Sequence, residues 1–274
     1  MLNFSSHLNI PEEILSRGNV HRERYRVSEH DVDFNGCARP SILLRYMQET
    51  NFLQHMNYPP TLAELREKRG RAFILSRLTM RMLLPLRSQE EIDVEAWLAP
   101  IKSTSLDRYN RIWRGGDLIA EMASFWALVD VRTKKLVRPE VEDMGFGFSE
   151  PLALEVKRLR IPRELHMEPV GRYHVGWSLI DVNRHMNNTY YPDMFLDFMP
   201  KGSLDGRAVS EMTIAYDREA PYGEDLVIRR ASNGSLMNTA SQSGEAAPTE
   251  TVFFTAERSD GQLCTEASFT LEKL

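Results

Sequence analysis

Between Trp177 and Tyr191 the chain sets a carboxylate, a carboxamide and an imidazole at every second position, as Asp181, Asn183 and His185. In an extended segment alternate residues share a face, so these three side chains can converge on one point while Val182 and Arg184 face away. They offer an acceptor, an amide donor and a group that titrates near neutrality. Such a set can aim a water molecule and polarise a carbonyl. The competing reading is an Asp/Asn turn that caps the helix behind it, with His185 a polar neighbour. Spacing alone does not choose between the two.

The elements that must hold this turn recur along the chain. A strand is predicted over 172–177, the turn over 181–187, a helix over 189–199, and strands over 208–216, 226–232, 249–257 and 263–272. The first half has the same order. A short strand over 25–28 and a turn over 31–36 precede a helix over 41–56, whose Ile42, Leu43, Tyr46, Met47, Phe52 and Leu53 recur at helical spacing. Residues 92–98 alternate apolar and polar, as a strand with one wet face requires. Strands over 109–113 and 118–131 flank Gly115 and Gly116, a hairpin signal. Asp-Val occurs at 31–32 and again at 181–182, each time between a strand and a helix, which points to a duplication. The first copy reads Asp31-Val32-Asp33-Phe34-Asn35 and has no imidazole. A turn that needed only capping would be served by similar residues in both copies, so chemistry is expected in the second half. One strand, one helix and an antiparallel meander, twice over, is an α+β plan.

A length of 274 residues suits two domains of about 130 residues each. The expected division is 1–140, a linker over 141–168 punctuated by Pro151 and Pro162, and 169–274. A net charge of −5 leaves no whole-protein footprint for nucleic acid. Cys37 and Cys264 are the only cysteines, too few for a disulfide framework and suited to a reducing compartment. The first eighteen residues have no basic start followed by an apolar core, and no apolar run approaches the roughly 18 residues needed to span a bilayer. A cytoplasmic protein with no membrane partner is therefore expected. The seven histidines are scattered, and His185 has no second histidine at ligand spacing, so neither metal nor cofactor is expected.

The stretch from Ser178 to Pro200 resembles the signature of the acyl-acyl carrier protein (acyl-ACP) thioesterases, in which a D-x-N-x-H-x-N-N run precedes a helix. Ile214-Ala-Tyr216-Asp-Arg218-Glu219-Ala220 is similar to that family's Y-x-R-E-C segment, and Val94-Glu-Ala-Trp97 to its V-x-T-W strand. The run from Ala123 to Asp130 and its exit through Arg138 and Pro139 is similar as well. These matches span residues 25–225, in order and in both halves.

The resemblance implies a tandem hot-dog fold, two copies of a long helix wrapped by a curved antiparallel sheet. It also implies hydrolysis of a fatty-acyl thioester carried on acyl carrier protein. Carried over position by position, the catalytic set is Asp181, Asn183, His185 and Glu219. Thioester hydrolysis needs a directed water, a base for its proton and donors for the developing oxyanion. Glu219 is the expected base, Asp181 and His185 orient it, and Asn183 polarises the carbonyl. The family's cysteine after that glutamate is here Ala220, which disfavours a covalent thiol mechanism. Direct water attack is favoured, with a carboxylate anhydride as the other route. The acyl chain is expected in the first half, beneath its helix, where Met47, Met56, Met80 and Met82 would suit either a tunnel or an ordinary core. Two basic clusters, Arg66, Lys68, Arg69 and Arg71, and Lys157, Arg158, Arg160 and Arg163, are candidate contacts for an acidic carrier. The alternatives are an acyl-CoA thioesterase and, from another class, a non-catalytic acyl-thioester binder. A hot-dog hydratase is disfavoured, because its motif puts a proline and one more residue between Asp and His. The chain is expected to act as a monomer or homodimer.

Overall fold

The computed structural model describes residues 19–101, 105–233 and 249–274. The eighteen residues read for a targeting signal lie outside them. Among the described residues, eleven strands form one antiparallel sheet. The first half supplies β1 (His21–Arg26), β2 (Arg71–Met82), β3 (Glu91–Leu98), β4 (Ser105–Arg114), β5 (Asp117–Asp130) and the two-residue β6 (Leu136–Val137). The second half supplies β7 (Glu168–His174), β8 (Arg207–Tyr216), β9 (Asp225–Ser232), β10 (Glu250–Glu257) and β11 (Leu263–Lys273). The strand order is β1-β3-β4-β5-β2-β8-β11-β10-β9-β7, with β6 beside β5. Read from the middle outward, the two halves list equivalent strands in the same order, so the sheet repeats itself about the β2–β8 pair.

That pair joins the halves. Five residue pairs run from Arg77 opposite Ala215 to Arg81 opposite Glu211. Alternation along the two strands sends Leu78, Met80, Met212 and Ile214 to one face, where they enter a core shared by both halves. Thr79 and Thr213 go to the other face, with their hydroxyls 3.3 Å apart. There the chain between the halves crosses the sheet as a strap. Leu152, Leu154 and Val156 pack on Trp97, Tyr109 and Ala123, Trp97 Nε1 donates to the Glu150 carbonyl at 2.8 Å, and Lys157 N–H donates to Thr79 Oγ1 at 3.1 Å.

The helices lie on the core face. α1 (Pro40–Asn57) opens with a proline, whose missing N–H costs nothing in the first turn. It buries Leu43, Leu44 and Met47 in the shared core. α2 (Leu62–Arg69) is an eight-residue helix that the sequence reading leaves unassigned, although its signals are explicit. Thr61 Oγ1 accepts from Glu64 N–H, Glu64 reaches back to Thr61 N–H, and Gly70 closes the helix at φ 63°. In the second half the expected 189–199 helix is irregular. Only α3 (Tyr191–Leu196) is regular α-helix, entered through a 3-10 turn at Asn188–Tyr190 and left through single turns. Pro192 fixes its start, and Pro200 bars continuation. Its Phe195 stacks within 5.2 Å of Phe254 and 6.3 Å of Phe269, so burial rather than length anchors it.

The lower half of α1 is buried but polar. Arg108 on β4, 3 % exposed, donates to Asn51 Oδ1, Gln54 Oε1 and His55 Nε2 at 3.0–3.1 Å. A guanidinium has donors only, so His55 must accept at Nε2 and is the neutral tautomer. Burial, and then the Arg108 charge, hold the His55 imidazole well below its ordinary pKa. The unfolded chain therefore takes up a proton below about pH 6.5 that the folded chain refuses. Stability is fully present above that pH and falls as pH drops toward the lowered value. Urea midpoints recorded from pH 7 to pH 5 are expected to decline in the native chain and to decline less in His55→Gln, which keeps an acceptor for Arg108. Equal declines would contradict this.

Candidate active site

The turn over 180–186 is built by its own backbone. Ile180 and Met186 form a β-bridge, Asp181 N–H donates to the His185 carbonyl at 3.0 Å, and Arg184 N–H donates to the Asp181 carbonyl at 3.0 Å. Asp181 Oδ1 accepts the Asn183 N–H at 2.8 Å, the Asx arrangement that tightens such loops. Arg184 takes φ 67°, the left-handed conformation that lets alternate side chains emerge on one side.

The return leg of this turn brings in Glu219. Met186 N–H donates to the Ala220 carbonyl at 2.8 Å, and His185 bridges Pro221. Glu219 leaves the end of β8 on a segment pinned by Asp217 and Arg218 N–H groups to the Cys264 carbonyl. The imidazole then stands between two carboxylates. His185 Nδ1 is 3.8 Å from Asp181 Oδ1, and Nε2 is 3.9 Å from Glu219 Oε1. These are ion-pair distances, longer than direct hydrogen bonds. Nδ1 also lies 3.3 Å from the Met186 carbonyl, an acceptor that favours a proton on Nδ1 and a free Nε2 facing Glu219. Asp181 and His185 are about one-fifth exposed and Glu219 is 69 % exposed, so the site opens to solvent on the glutamate side. All four residues singled out from the sequence are thus brought into one cluster.

Two features lay beyond the sequence reading. Arg66 on α2, in the other half, donates from Nη1 to Asn183 Oδ1 at 3.0 Å. The capping box that defines α2 could have announced the helix, but a contact across 117 residues leaves no local signal. The second feature is a thiol behind the site. Ala220 is buried where the family carries cysteine, yet Cys264 on the neighbouring strand puts Sγ 3.9 Å from the Glu219 carbonyl oxygen. Burial pushes this thiol up to about 11, so at neutral pH it is not a thiolate.

The first-half turn corrects the expected alignment of the repeats. Asp33 N–H donates to the Cys37 carbonyl, Gly36 N–H to the Asp33 carbonyl and Ala38 N–H to Leu86, while Asp33 Oδ1 accepts Asn35 N–H at 2.8 Å. Bond for bond, Asp33 corresponds to Asp181, Asn35 to Asn183, Gly36 at φ 71° to Arg184, and Cys37 to His185. The Asp-Val match at 31–32 is therefore two residues out of register. The first copy keeps the Asp and the Asn, and its imidazole is replaced by a buried thiol. Beside it opens a cleft of about 750 Å³, lined by Phe34, Leu43, Met82, Leu84, Leu196 and Val209 among others.

Met47 and Met80 are buried in the core, Met82 lines that cleft and Met56 is exposed. In the first basic cluster Arg69 and Arg71 are bound to the buried carboxylate of Asp143 and Lys68 pairs with Glu64, leaving Arg66 to the turn. In the second, Lys157 pairs with Glu211 on the strap side of the sheet. No helix of the described residues is long and apolar enough to cross a membrane.

The acyl-ACP thioesterase N-terminal domain is recognised over residues 18–144 and the C-terminal domain over 164–260. The chain belongs to the acyl-ACP thioesterase family. A palmitoyl-acyl carrier protein thioesterase of Gossypium hirsutum chloroplasts is 22 % identical over 250 residues, covering 83 % of this chain and 58 % of that relative. A dodecanoyl-[acyl-carrier-protein] hydrolase of Cinnamomum camphora is 24 % identical over 139 residues, covering 47 % of this chain and 36 % of that relative. The chain thus spans roughly half the length of the curated relatives it matches. Among solved structures, an acyl-ACP thioesterase from Bacteroides thetaiotaomicron superposes with a TM-score of 0.75 at 18 % identity, over 96 % of this chain and all of the other. The 12:0-ACP thioesterase from Umbellularia californica gives 0.75 at 17 % identity, over 93 % and 94 %. The fold is the tandem hot-dog fold.

With its pKa raised and its sulfur behind the Glu219 backbone, Cys264 is expected to be inert. Cys264→Ser should keep near-native turnover, and iodoacetamide at pH 7 should leave the native chain active. Inactivation by alkylation at Cys264 would contradict this.

Proposed function

We propose that the chain hydrolyses the thioester of a fatty acyl-acyl carrier protein, releasing the free fatty acid and the carrier thiol. What carries the reading is the imidazole of His185 held between the carboxylates of Asp181 and Glu219, with the Asn183 carboxamide alongside, in a chain of this family. Glu219, 69 % exposed, is the base. It takes a proton from water as the oxygen attacks the thioester carbonyl, and returns it to the sulfur as the C–S bond breaks. At 3.8 and 3.9 Å the imidazole is in electrostatic reach of both carboxylates without being locked to either by a direct hydrogen bond. Asp181 and His185 hold that water and Glu219 in line, and the Asn183 amide donates to the oxyanion. A buried, protonated thiol and an alanine in the motif leave no thiol nucleophile of the protein at the site.

The carrier is acyl carrier protein. Around the turn, Trp177, Val182 and Tyr222 are 81 %, 97 % and 63 % exposed, beside the exposed cations of Arg184 and Arg218. Exposed apolar side chains with two exposed arginines nearby in sequence suit a small acidic protein that delivers an apolar chain. Residues 1–140 hold the acyl chain, 141–168 link, and 169–274 do the chemistry. The chain works in the cytoplasm, without cofactor, as a monomer or homodimer, because each half already covers the other's β2 or β8 edge.

Glu219→Gln removes the base and should lose on the order of 10²–10⁴ in fatty-acid release from acyl-ACP, with an unchanged circular dichroism spectrum. Near-native rates in that variant would overturn the assignment of the base. Equal turnover of matched acyl-ACP and acyl-CoA by the native chain would favour the acyl-CoA reading, and release from neither would favour a binding protein.

A further inference from the structure

The repeat places an asparagine at the same point of both turns, and each reaches into the opposite half. Asn35 is fully committed. Its Nδ2 donates to the Leu204 and Arg207 carbonyls at 2.8 and 3.0 Å, and its Oδ1 accepts from Gly206 N–H at 3.0 Å. Those partners form the segment that enters β8 through Gly206 at φ 64°. Asn183 faces the equivalent segment of the first half, where α2 enters β2 through Gly70 at φ 63°. There the carboxamide meets the guanidinium of Arg66 at 3.0 Å on Oδ1, and its Nδ2 donates to Asp181 Oδ2 of its own turn at 3.5 Å. The first copy is a strut with all its polar capacity used. In the second copy the oxygen is held across the halves, and the amide makes only a long bond within its own turn.

The identity of the partner settles which way the amide points. A carboxamide's oxygen and nitrogen are near-isosteric and can exchange places, but guanidinium has no acceptor. Against Arg66, only the orientation with Oδ1 toward the cation is favourable. Nδ2 is then turned to the other side, where Asp181 Oδ2 lies 3.5 Å away. We propose that Arg66 is a positioning residue of the hydrolytic site. It orients Asn183 so that the amide N–H faces the reacting carbonyl, and it makes the first half an obligate part of a site whose four chemical groups all lie in the second. This rests on the thioester-hydrolase reading given above. The contact is exposed in the free chain. Water leaves it when a thioester covers the turn, and a charge-assisted bond strengthens in that setting.

The test uses the full-length chain and two thioesters of one acyl group, one on acyl carrier protein and one on N-acetylcysteamine, which carries no docking surface. Arg66→Met should lower kcat on both by about 10²-fold, the loss expected when a donor is misplaced by about an ångström, with KM for the small thioester little changed. Arg66→Lys, which keeps a donor without the planar fork, should recover part of the loss. In an Asn183→Ala background Arg66→Met should have no further effect, because the two act as one unit. Four results would overturn the inference while sparing the reading of the site: unchanged kcat in Arg66→Met beside an inactive Asn183→Ala, a change confined to KM for the carrier substrate, additive losses in the double variant, or no recovery with Lys. Near-native kcat in both Arg66→Met and Asn183→Ala would instead take down the site reading itself.

Discussion

The β2–β8 pairing is the constraint on which the rest of the molecule depends. Each half has a strand edge that would otherwise present bare N–H and C=O groups, and each covers the other's. Because the pairing repeats one half against the other, Leu78, Met80, Met212 and Ile214 merge two cores into one. It also sets the segment preceding each central strand against the turn of the opposite half. That is why Asn35 meets 204–207 and Asn183 meets Arg66. The strap over 149–157 runs across the same seam from the far side and ties it through Thr79.

Duplication followed by divergence then accounts for the difference between the two turns. Both keep the carboxylate that bonds the second residue on, and both keep a left-handed residue three further along. In the first copy the carboxamide is spent on backbone and the imidazole position holds a buried thiol. In the second, the carboxamide has a cation on one side and the imidazole stands between carboxylates. One turn fastens the halves together, and the other is free to do chemistry.

What was legible in the sequence was whatever leaves a local pattern. Residues 92–96 alternate because one face meets the core, the strap covers Trp97 on the other, and Gly115-Gly116 announced the β4–β5 hairpin. Asp181, Asn183 and His185 were legible as a polar cluster, although an Asx turn with a left-handed Arg184, not an extended strand, brings them together. The repeat register was misread because Asp-Val is a coincidence of composition, whereas the physical marker is the left-handed residue. That residue is glycine in one copy and arginine in the other, so nothing in the letters aligns them. The second helix is less regular than its apolar spacing predicts, since only Tyr191–Leu196 is α-helical between Pro192 and Pro200 and its aromatic residues anchor it by burial. The capping box of α2 was there to be read. The seam and the Arg66–Asn183 contact were not, because pairing between distant segments leaves no trace in either.

In the proposed reaction a carboxylate drives water at a turn supplied by both halves, with no covalent link to the protein. The most direct measurement is a single turnover in ¹⁸O-labelled water with enzyme in excess over acyl-ACP, followed by mass spectrometry of the fatty acid and of the peptides containing Asp181 and Glu219. Direct attack predicts one ¹⁸O atom in the released carboxylate and none in either peptide. Label appearing in the Glu219 or Asp181 carboxylate, with unlabelled fatty acid, would contradict it and assign the reaction to an acyl-enzyme anhydride.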